Sequence, residues 1–370
     1  MNSSKGLHII SFNIPFPANY GGVIDVFYKL KALHKLGVNI HLHCFSYGRV
    51  ECKELEKYCE KVYYYPRNMS WANIFSRTPF IIKSRSNKLL TKRLKELPFP
   101  ILYEGLHCSM SLENKELKQK KYIRAHNVET HYYRQLAKNE SNLFSKLFLY
   151  SEYLKIRKYE KTLKKVDGIF SISNDDKNHF SKSYNSHLIR AFHSNKCITS
   201  KIGIGEYALY HGNLTVSENI NAAFFLVKLA AQSSYPLIIA GKKPSEKLIE
   251  EIKKHKHIQL CKNPTNEQMD KLIRNAQMVL LPTKQNTGIK LKLLESLYKS
   301  RFCIVNNTMV NNTELEPYCI EANSNEDWLN SIEKYKSIEF SDENIKHRKE
   351  ICYIFNNEKE AQKTIDIIFA

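Results

Sequence analysis

Between residues 287 and 296 the chain reads TGIKLKLLES, a glycine at the start of a helix that is apolar on one face. Lys290 and Lys292 fall in the first turn of that helix and Glu295 follows a turn later. The first turn is the positive end of the helix dipole, where cations are unfavourable and anions are favoured. Two readings fit: a solvated face that tolerates the lysines, or an anion bound among them. Other polar groups collect in short loops. NYGG offers Gly21 and Gly22 ahead of a helix, where free N–H groups suit an oxyanion or a sugar hydroxyl; a tight turn requiring glycine explains the pair equally well. RAHNVE brings Arg124, His126, Asn127 and Glu129 together, and YEGLHCS does the same for Glu104 and His107. HGNLTVSEN carries His211, Gly212 and Asn213, and AGKKPSEK carries Lys242 and Lys243.

Each of these clusters follows a predicted strand. Leu7–Asn13 is a short apolar strand, the pattern from Val23 to Leu36 is helical, Gly37 stops it, and Val38–Phe45 is the next strand. That βαβ unit implies a parallel sheet with a right-handed crossover. Further strands are expected at Lys61–Tyr65, Ile101–Tyr103, Tyr122–Ala125 and Gly168–Ser173, with a long charged helix over Leu143–Lys165. Periodicity weakens from Ser183 to Gly205, which reads as a linker. A second alternating series follows: the strand in EYALYHGNL, a helix Asn219–Gln232, the strand in PLIIAG, a helix Ser245–His255, the strand His257–Cys261, a helix Asn266–Asn275, the strand Gln277–Leu281, the helix holding Glu295, and the strand Arg301–Val305. The fold class expected is α/β, two Rossmann-like domains in tandem, over residues 1–190 and 204–341, with 342–370 as a C-terminal helical segment. In such sheets ligands bind beyond the carboxyl ends of the strands, where the polar loops lie.

Composition narrows the choice. The chain has 370 residues, 42% of them hydrophobic, a globular rather than a disordered balance. No apolar run reaches membrane-spanning length. Nine cysteines lie scattered without a C-x-x-C, which suits free thiols in a reducing cytoplasm. Net charge is +20, and residues 1–185 hold 32 Lys and Arg against 16 Asp and Glu, while residues 186–370 hold 25 against 21. The field of the first half favours an anionic partner. Nucleic acid is not expected, because no RRM, KH, zinc or helix-turn-helix signature accompanies the charge. G-x-G-x-x-G after the first strand, a P-loop, a G-x-S-x-G elbow and a His/Cys metal spacing are all absent. His41 and His43 alternate within a strand and read as structural.

In their order NYGG, ILYEGLH, IRAHNVE, FSISNDD, ALYHGNL–EN, LIIAGK and VLLPT–TGIKLKLLES resemble the GT-B glycosyltransferases, most nearly the retaining family 4 group, over Leu7 to about Val305. The resemblance implies two Rossmann-like domains facing across a cleft, the first binding the acceptor and the second a nucleotide-sugar, with a C-terminal helix returning to the first. It implies donor contacts from Gly212, Asn213, Lys242, Thr287, Gly288, Ile289, Lys290, Lys292 and Glu295, and acceptor contacts from Gly21, Gly22, Glu104, His107 and Arg124. His126, Lys290 and Glu295 are the implied catalytic group. His126 matches the histidine beside the donor sugar, the Gly288 and Ile289 N–H groups hold the distal phosphate, and Glu295 accepts hydrogen bonds from the ribose hydroxyls. No cofactor and no metal is expected.

The chain also departs from the family pattern. Asn213 and Glu218 stand where an arginine and a lysine commonly meet the phosphates, leaving Lys290 and Lys292 as substitutes. Thr287 stands where the first of two glutamates normally contacts the hexose. Helical geometry places Lys292 near Glu295, as a stand-in partner before ligand arrives. The expected activity is retaining hexosyl transfer to a glycan or polyprenyl-diphosphate-linked acceptor for surface polysaccharide or glycoconjugate synthesis. A sugar-nucleotide 2-epimerase and a degenerate, glycan- or nucleotide-binding GT-B protein are the alternatives. Ser76–Lys95, with seven Lys and Arg, no acid and a set of apolar residues, is expected to lie on an anionic membrane at its cytoplasmic face or to form a surface helix by the acceptor.

Overall fold

The computed structural model describes residues 5–140, 142–284 and 291–370. The chain divides into two compact units: the first runs to Ser194 and takes back Phe355–Ala370, and the second lies between Asn195 and Ile354.

In the first unit the strands are β1 (Gly6–Ser11), β2 (Asn39–Ser46), β3 (Lys61–Pro66), β4 (Ile101–Glu104), β5 (Lys121–Ala125), β6 (Gly168–Ser171) and β7 (Ser186–Leu188). They form one seven-stranded parallel sheet in the order β3-β2-β1-β4-β5-β6-β7. Alternation along β1 sends Leu7 and Ile9 into one apolar layer and Ile10 into the other. The helix α1 (Gly21–Lys35) covers the first layer with Val26, Leu30 and Leu33. Strand order reverses between β1 and β4, so the crevice at their carboxyl ends is the natural ligand position of this sheet. β7 lies inside the stretch expected to be a linker; three residues are too few to show a period.

In the second unit β8 (Ala208–Asn213), β9 (Leu237–Lys242), β10 (Ile258–Lys262), β11 (Met278–Leu281), β12 (Phe302–Val305) and β13 (Ile320–Glu321) form a six-stranded parallel sheet in the order β10-β9-β8-β11-β12-β13. Here the reversal falls between β8 and β11, which pair only at Met278–Ala208 and Val279–Leu209. Beyond that point β8 continues with β9 and β11 with β12, so the two separate toward their carboxyl ends. The close approach of β8 and β9 depends on Gly241, since a Cβ there would meet the Gly212 carbonyl oxygen at 2.3 Å.

Segment 342–370 is divided. The helix Asp342–Arg348, opened by a Ser341–Asn344 capping box, stays in the second unit. The helix Asn357–Ile368, capped by Asn356, packs in the first unit, where Ala361, Ile365 and Ile368 join the core beneath α1. The basic segment Ser76–Lys95 does not form one amphipathic surface helix. It folds as a short helix Phe80–Lys83 and a helix Lys88–Glu96, and Ile82, Leu90 and Leu94 are core residues. Its apolar side is turned inward, and Leu89 is its one large hydrophobic residue left exposed. No helix among the described residues is long and apolar enough to cross a membrane.

Candidate functional site

The loops at the two reversal points hold the polar groups. In the first unit, α1 begins at Gly21 with no side-chain cap from Tyr20 and no acid in its first turn, so among the described residues no cap side chain competes with an oxygen ligand for its leading N–H groups. Gly22 lies under Phe12, whose ring a Cβ would meet at 2.7 Å. The Phe12 ring stands between the rings of His107 and His126, with centroids 5.8 and 5.7 Å away.

Beneath these groups is a buried cluster of charge. Asp25 and Lys29, one turn apart on the inner face of α1, are bonded at 3.1 Å, and Lys29 Nζ donates to Glu104 at the end of β4 at 2.6 Å. The Arg124 guanidinium forks onto Asp25 at 2.8 and 3.1 Å. It also donates to the carbonyls of Ile189 and Arg190, and the Phe192 N–H donates to Asp25 at 2.9 Å. His126 donates through Nε2 to Glu104 at 3.1 Å, because a carboxylate only accepts, and its Nδ1 lies 3.9 Å from Asp25. Burial works against the Asp25 carboxylate, but Arg124, Lys29 and His126 outweigh it and hold its pKa far below the usual range. Glu104 is likewise held down by Lys29 and His126 against the effect of burial.

This geometry corrects two of the acceptor contacts expected from the sequence. Arg124 and Glu104 are fully buried and bonded within the unit. They therefore hold the frame on which His126 sits rather than presenting themselves to a ligand. Asp25, Glu104 and His126 bring possible ligand atoms within 4.8 Å of one another. They do not fit a metal site, because Lys29 bridges both carboxylates and Arg124 forks onto one, so two fixed cations already balance two anions.

His107 sits just past Gly105, whose φ of 78° and 2.7 Å approach of a would-be Cβ to His107 Nδ1 suit glycine alone. Among the described residues its buried Nδ1 has no hydrogen-bond partner, and burial followed by Arg85 pushes its pKa well down, so the ring is neutral. Arg85 donates to the Phe12 carbonyl at 3.1 Å, and burial lowers its pKa to about 10. A small cavity at the end of β5 is lined by His126, Asn127, Glu129 and Glu160 among apolar neighbours. Burial, then Glu160 and Asp176, push the Glu129 carboxyl up to about 8.

In the second unit Gly212 and Asn213 end β8. The Asn213 side-chain oxygen accepts from the N–H and hydroxyl of Thr215, turning the chain into the helix Ser217–Ala230. Glu218, in the first turn of that helix, accepts from the Thr283 hydroxyl, so the pair bridges the reversal point from β8 to β11. Lys242 ends β9 with its side chain exposed. The helix Leu291–Lys299 buries Leu293, Leu294 and Leu297 and is tied to β8 through His211. The Ser296 hydroxyl donates to the Lys292 carbonyl at 2.8 Å, so it accepts from His211 Nε2–H at 2.9 Å. Burial holds His211 neutral by lowering its pKa to about 4.

Lys292 is the unusual group. Its Nζ donates to the Asn219 side-chain oxygen at 3.1 Å and lies 5.3 Å from the centre of the Tyr210 ring. Among the described residues no carboxylate makes an ion pair with it. Burial lowers its pKa to about 8, with Glu218 pulling the other way. Glu295 is not held by Lys292, as helical geometry had suggested, but by Lys299 at 2.8 Å, the i,i+4 partner. Thr287, Gly288, Ile289 and Lys290 lie outside the described residues.

No family model matches the chain. It is 25% identical over 321 residues, 80% of this chain and 81% of the other, to an uncharacterized 44.6 kDa protein in the cps region of Klebsiella pneumoniae. Among solved structures it resembles TarM with TM-score 0.70 at 11% identity, over 100% of this chain and 99% of the other. It resembles the lipopolysaccharide outer core galactosyltransferase WaaB with TM-score 0.66 at 12% identity, over 98% and 99%. A glycosyltransferase of Rickettsia africae is similar with TM-score 0.64 at 16% identity, over 99% and 98%. The chain has the GT-B fold.

Within this GT-B fold, sequence reasoning missed Asp25, Lys29, Arg85 and Ser296. The first two carried a signal: opposite charges at i,i+4 on the otherwise apolar face of α1. Arg85 and Ser296 carried none, since their roles rest on neighbours remote in sequence.

Proposed function

We propose that the chain is a retaining glycosyltransferase that moves a hexosyl group from a nucleoside diphosphate to a hydroxyl of a glycan or polyprenyl-diphosphate-linked acceptor, in the synthesis of a surface polysaccharide or glycoconjugate. The observation that carries this reading is Lys292, a largely buried ammonium with a neutral hydrogen-bond partner, at a reversal point of a parallel sheet. A buried cation with no directly bonded carboxylate among the described residues is costly, with Glu218 acting on it only through space, and a diphosphate supplies the direct charge contact. Neighbours with this fold support the reading in kind: TarM was solved with UDP and alpha-GlcNAc-glycerol, and WaaB is named a galactosyltransferase. The nine cysteines are free, as suits a cytoplasmic protein.

The second unit holds the donor. Glu295 releases Lys299 and accepts the two ribose hydroxyls, which a carboxylate can do with its two oxygens. Lys292, Lys290 and the N–H groups of Gly288 and Ile289 meet the diphosphate, and Gly212, Asn213 and Lys242 line its approach. The bond between the anomeric carbon and the diphosphate oxygen breaks as the acceptor oxygen bonds to the same carbon, and the acceptor proton passes to the departing phosphate. Fixed positive charge stabilises the leaving group, the step that needs most help. The first unit takes the acceptor near Gly21 and Gly22, with His126 held in one orientation by Glu104.

The test is a panel of nucleotide-sugars scored by thermal shift and by sugar release or transfer, with wild type and Glu295→Ala. One donor should stabilise wild type, and the variant should lose both binding and turnover. Wild-type turnover by Glu295→Ala overturns the assignment; binding without turnover by wild type favours a non-catalytic GT-B protein.

A further inference from the structure

The first unit exposes a row of large apolar residues along one of its helices. Leu143, Leu147, Tyr150 and Leu154 recur at i, i+4, i+7 and i+11 along the helix Leu143–Tyr159, and all four are exposed. That spacing is one stripe on one face. Phe144 stands beside it with 83% of its surface exposed. A second exposed pair, Trp71 at 81% and Phe75 at 89%, projects from the turn Trp71–Phe75. Lys155 Nζ fastens the helix to the turn by donating to the Ile74 carbonyl at 2.6 Å, and the short helix that follows the turn is held by the Phe80 N–H, which donates to Glu152 at 2.6 Å, and by the Phe80 and Phe148 rings, which pack edge to face. Side chains this large are seldom left in water together unless something covers them.

Charge indicates what that is. Lys146, Arg157 and Lys158 are exposed on the same helix, and Arg77 follows the turn. The one acid of the helix, Glu152, is buried and bonded to the Phe80 N–H and Lys155. The exposed face is therefore apolar and basic with no exposed carboxylate of its own helix, within the half of the chain that holds 32 cationic against 16 anionic side chains. A second copy would bring like charge against like charge. An anionic lipid surface matches both features, since aromatic and leucine side chains enter the headgroup boundary and lysine and arginine meet the phosphates.

We propose that the helix Leu143–Tyr159, together with Trp71 and Phe75, docks the first unit onto an anionic bilayer. The contact is a different one from the basic segment Ser76–Lys95, whose apolar residues are spent on the core, and it does not depend on the reaction assigned above.

The test is co-sedimentation of the full chain with vesicles of phosphatidylcholine alone and of phosphatidylcholine mixed with phosphatidylglycerol, at low and high salt. The chain has two tryptophans and Trp328 is buried, so the emission of Trp71 reports insertion. Wild type should sediment with the anionic vesicles, with a blue shift, and less so at high salt. Phe144→Ser with Leu147→Ser, and separately Lys146→Glu with Arg157→Glu and Lys158→Glu, should weaken binding about tenfold or more with unchanged melting temperature. Lys88→Glu with Lys92→Glu should leave it nearly intact. Absence of binding to anionic vesicles overturns the proposal. So does loss of binding through Lys88 and Lys92 alone, or a wild-type dimer that Phe144→Ser with Leu147→Ser dissolves.

Discussion

In the first unit Asp25, Lys29, Glu104 and Arg124 meet beneath the ends of β4 and β5, and each charge finds an opposite one at 2.6 to 3.1 Å. In the second unit Lys292 is also largely buried, yet its described hydrogen bond goes to a neutral asparagine. Both arrangements lie at strand ends of parallel sheets with a strand-order reversal. The difference separates a frame from a receptor. A closed set of ion pairs gains nothing from a ligand and holds its neighbours in place, whereas a desolvated cation with no counter-ion bonded to it improves its energy when an anion arrives.

Breaking the closed set should have the largest effect. Arg124→Met leaves Asp25 buried without its fork and should cost on the order of 3–5 kcal/mol in urea unfolding. Adding Asp25→Leu should restore part of that loss; equal loss in the single and double variants would show that the pairing is not what matters. On the open side, Glu295→Ala should weaken nucleoside diphosphate binding roughly a hundredfold, as expected for losing hydrogen bonds to a charged acceptor, while Lys299 keeps its ion pair with Asp270 at 3.0 Å. Isothermal titration separates this from a folding defect.

Lys292→Met sharpens the contrast, because stability and binding should move in opposite directions. Diphosphate affinity should fall about tenfold or more, while unfolding stability holds or rises. The pH dependence has a defined sign. With a folded pKa of about 8 against 10.5, the native state binds fewer protons than the unfolded one between those values, so this group makes stability rise with pH across that window. An anion restores the proton, so affinity in wild type should decline as pH climbs above about 8, and Lys292→Met should flatten that decline.

The smallest effect expected is at Glu129. Its raised pKa means that the native state binds the extra proton between 4.5 and about 8, so stability falls as pH rises through that range. Glu129→Gln should leave stability at pH 5 nearly unchanged and raise it by about 1 kcal/mol or more at alkaline pH. A parallel pH profile for variant and wild type would show that the carboxyl is not held protonated.

The strands of both sheets were legible because buried parallel strands are short apolar runs ended by glycine and polar residues, as in LHIISFN and LIIAGK. β7 was not, since three residues show no period. The polar loops were legible too, but which of their side chains face a ligand was not. Arg124 and His126 are two residues apart at one strand end, yet one is sealed beneath the sheet's end and the other keeps a ring edge open. Likewise the basic run Ser76–Lys95 reads as amphipathic, but the exposed apolar surface belongs to the helix Leu143–Tyr159 next to it.

Local pattern alone settled the α/β class, the two alternating series of strands and helices, and the positions of the loops where chemistry can occur. These follow from periodicity and turn chemistry, which act over a few residues. Tertiary structure decided which charges are neutralised. Asp25 meets Arg124 across 99 residues and Lys29 meets Glu104 across 75, while Lys292 meets Asn219 instead of Glu295. Whether a buried charge is a fastening or a vacancy depends on the sign of what the fold brings within hydrogen-bond reach, and no local pattern carries that information.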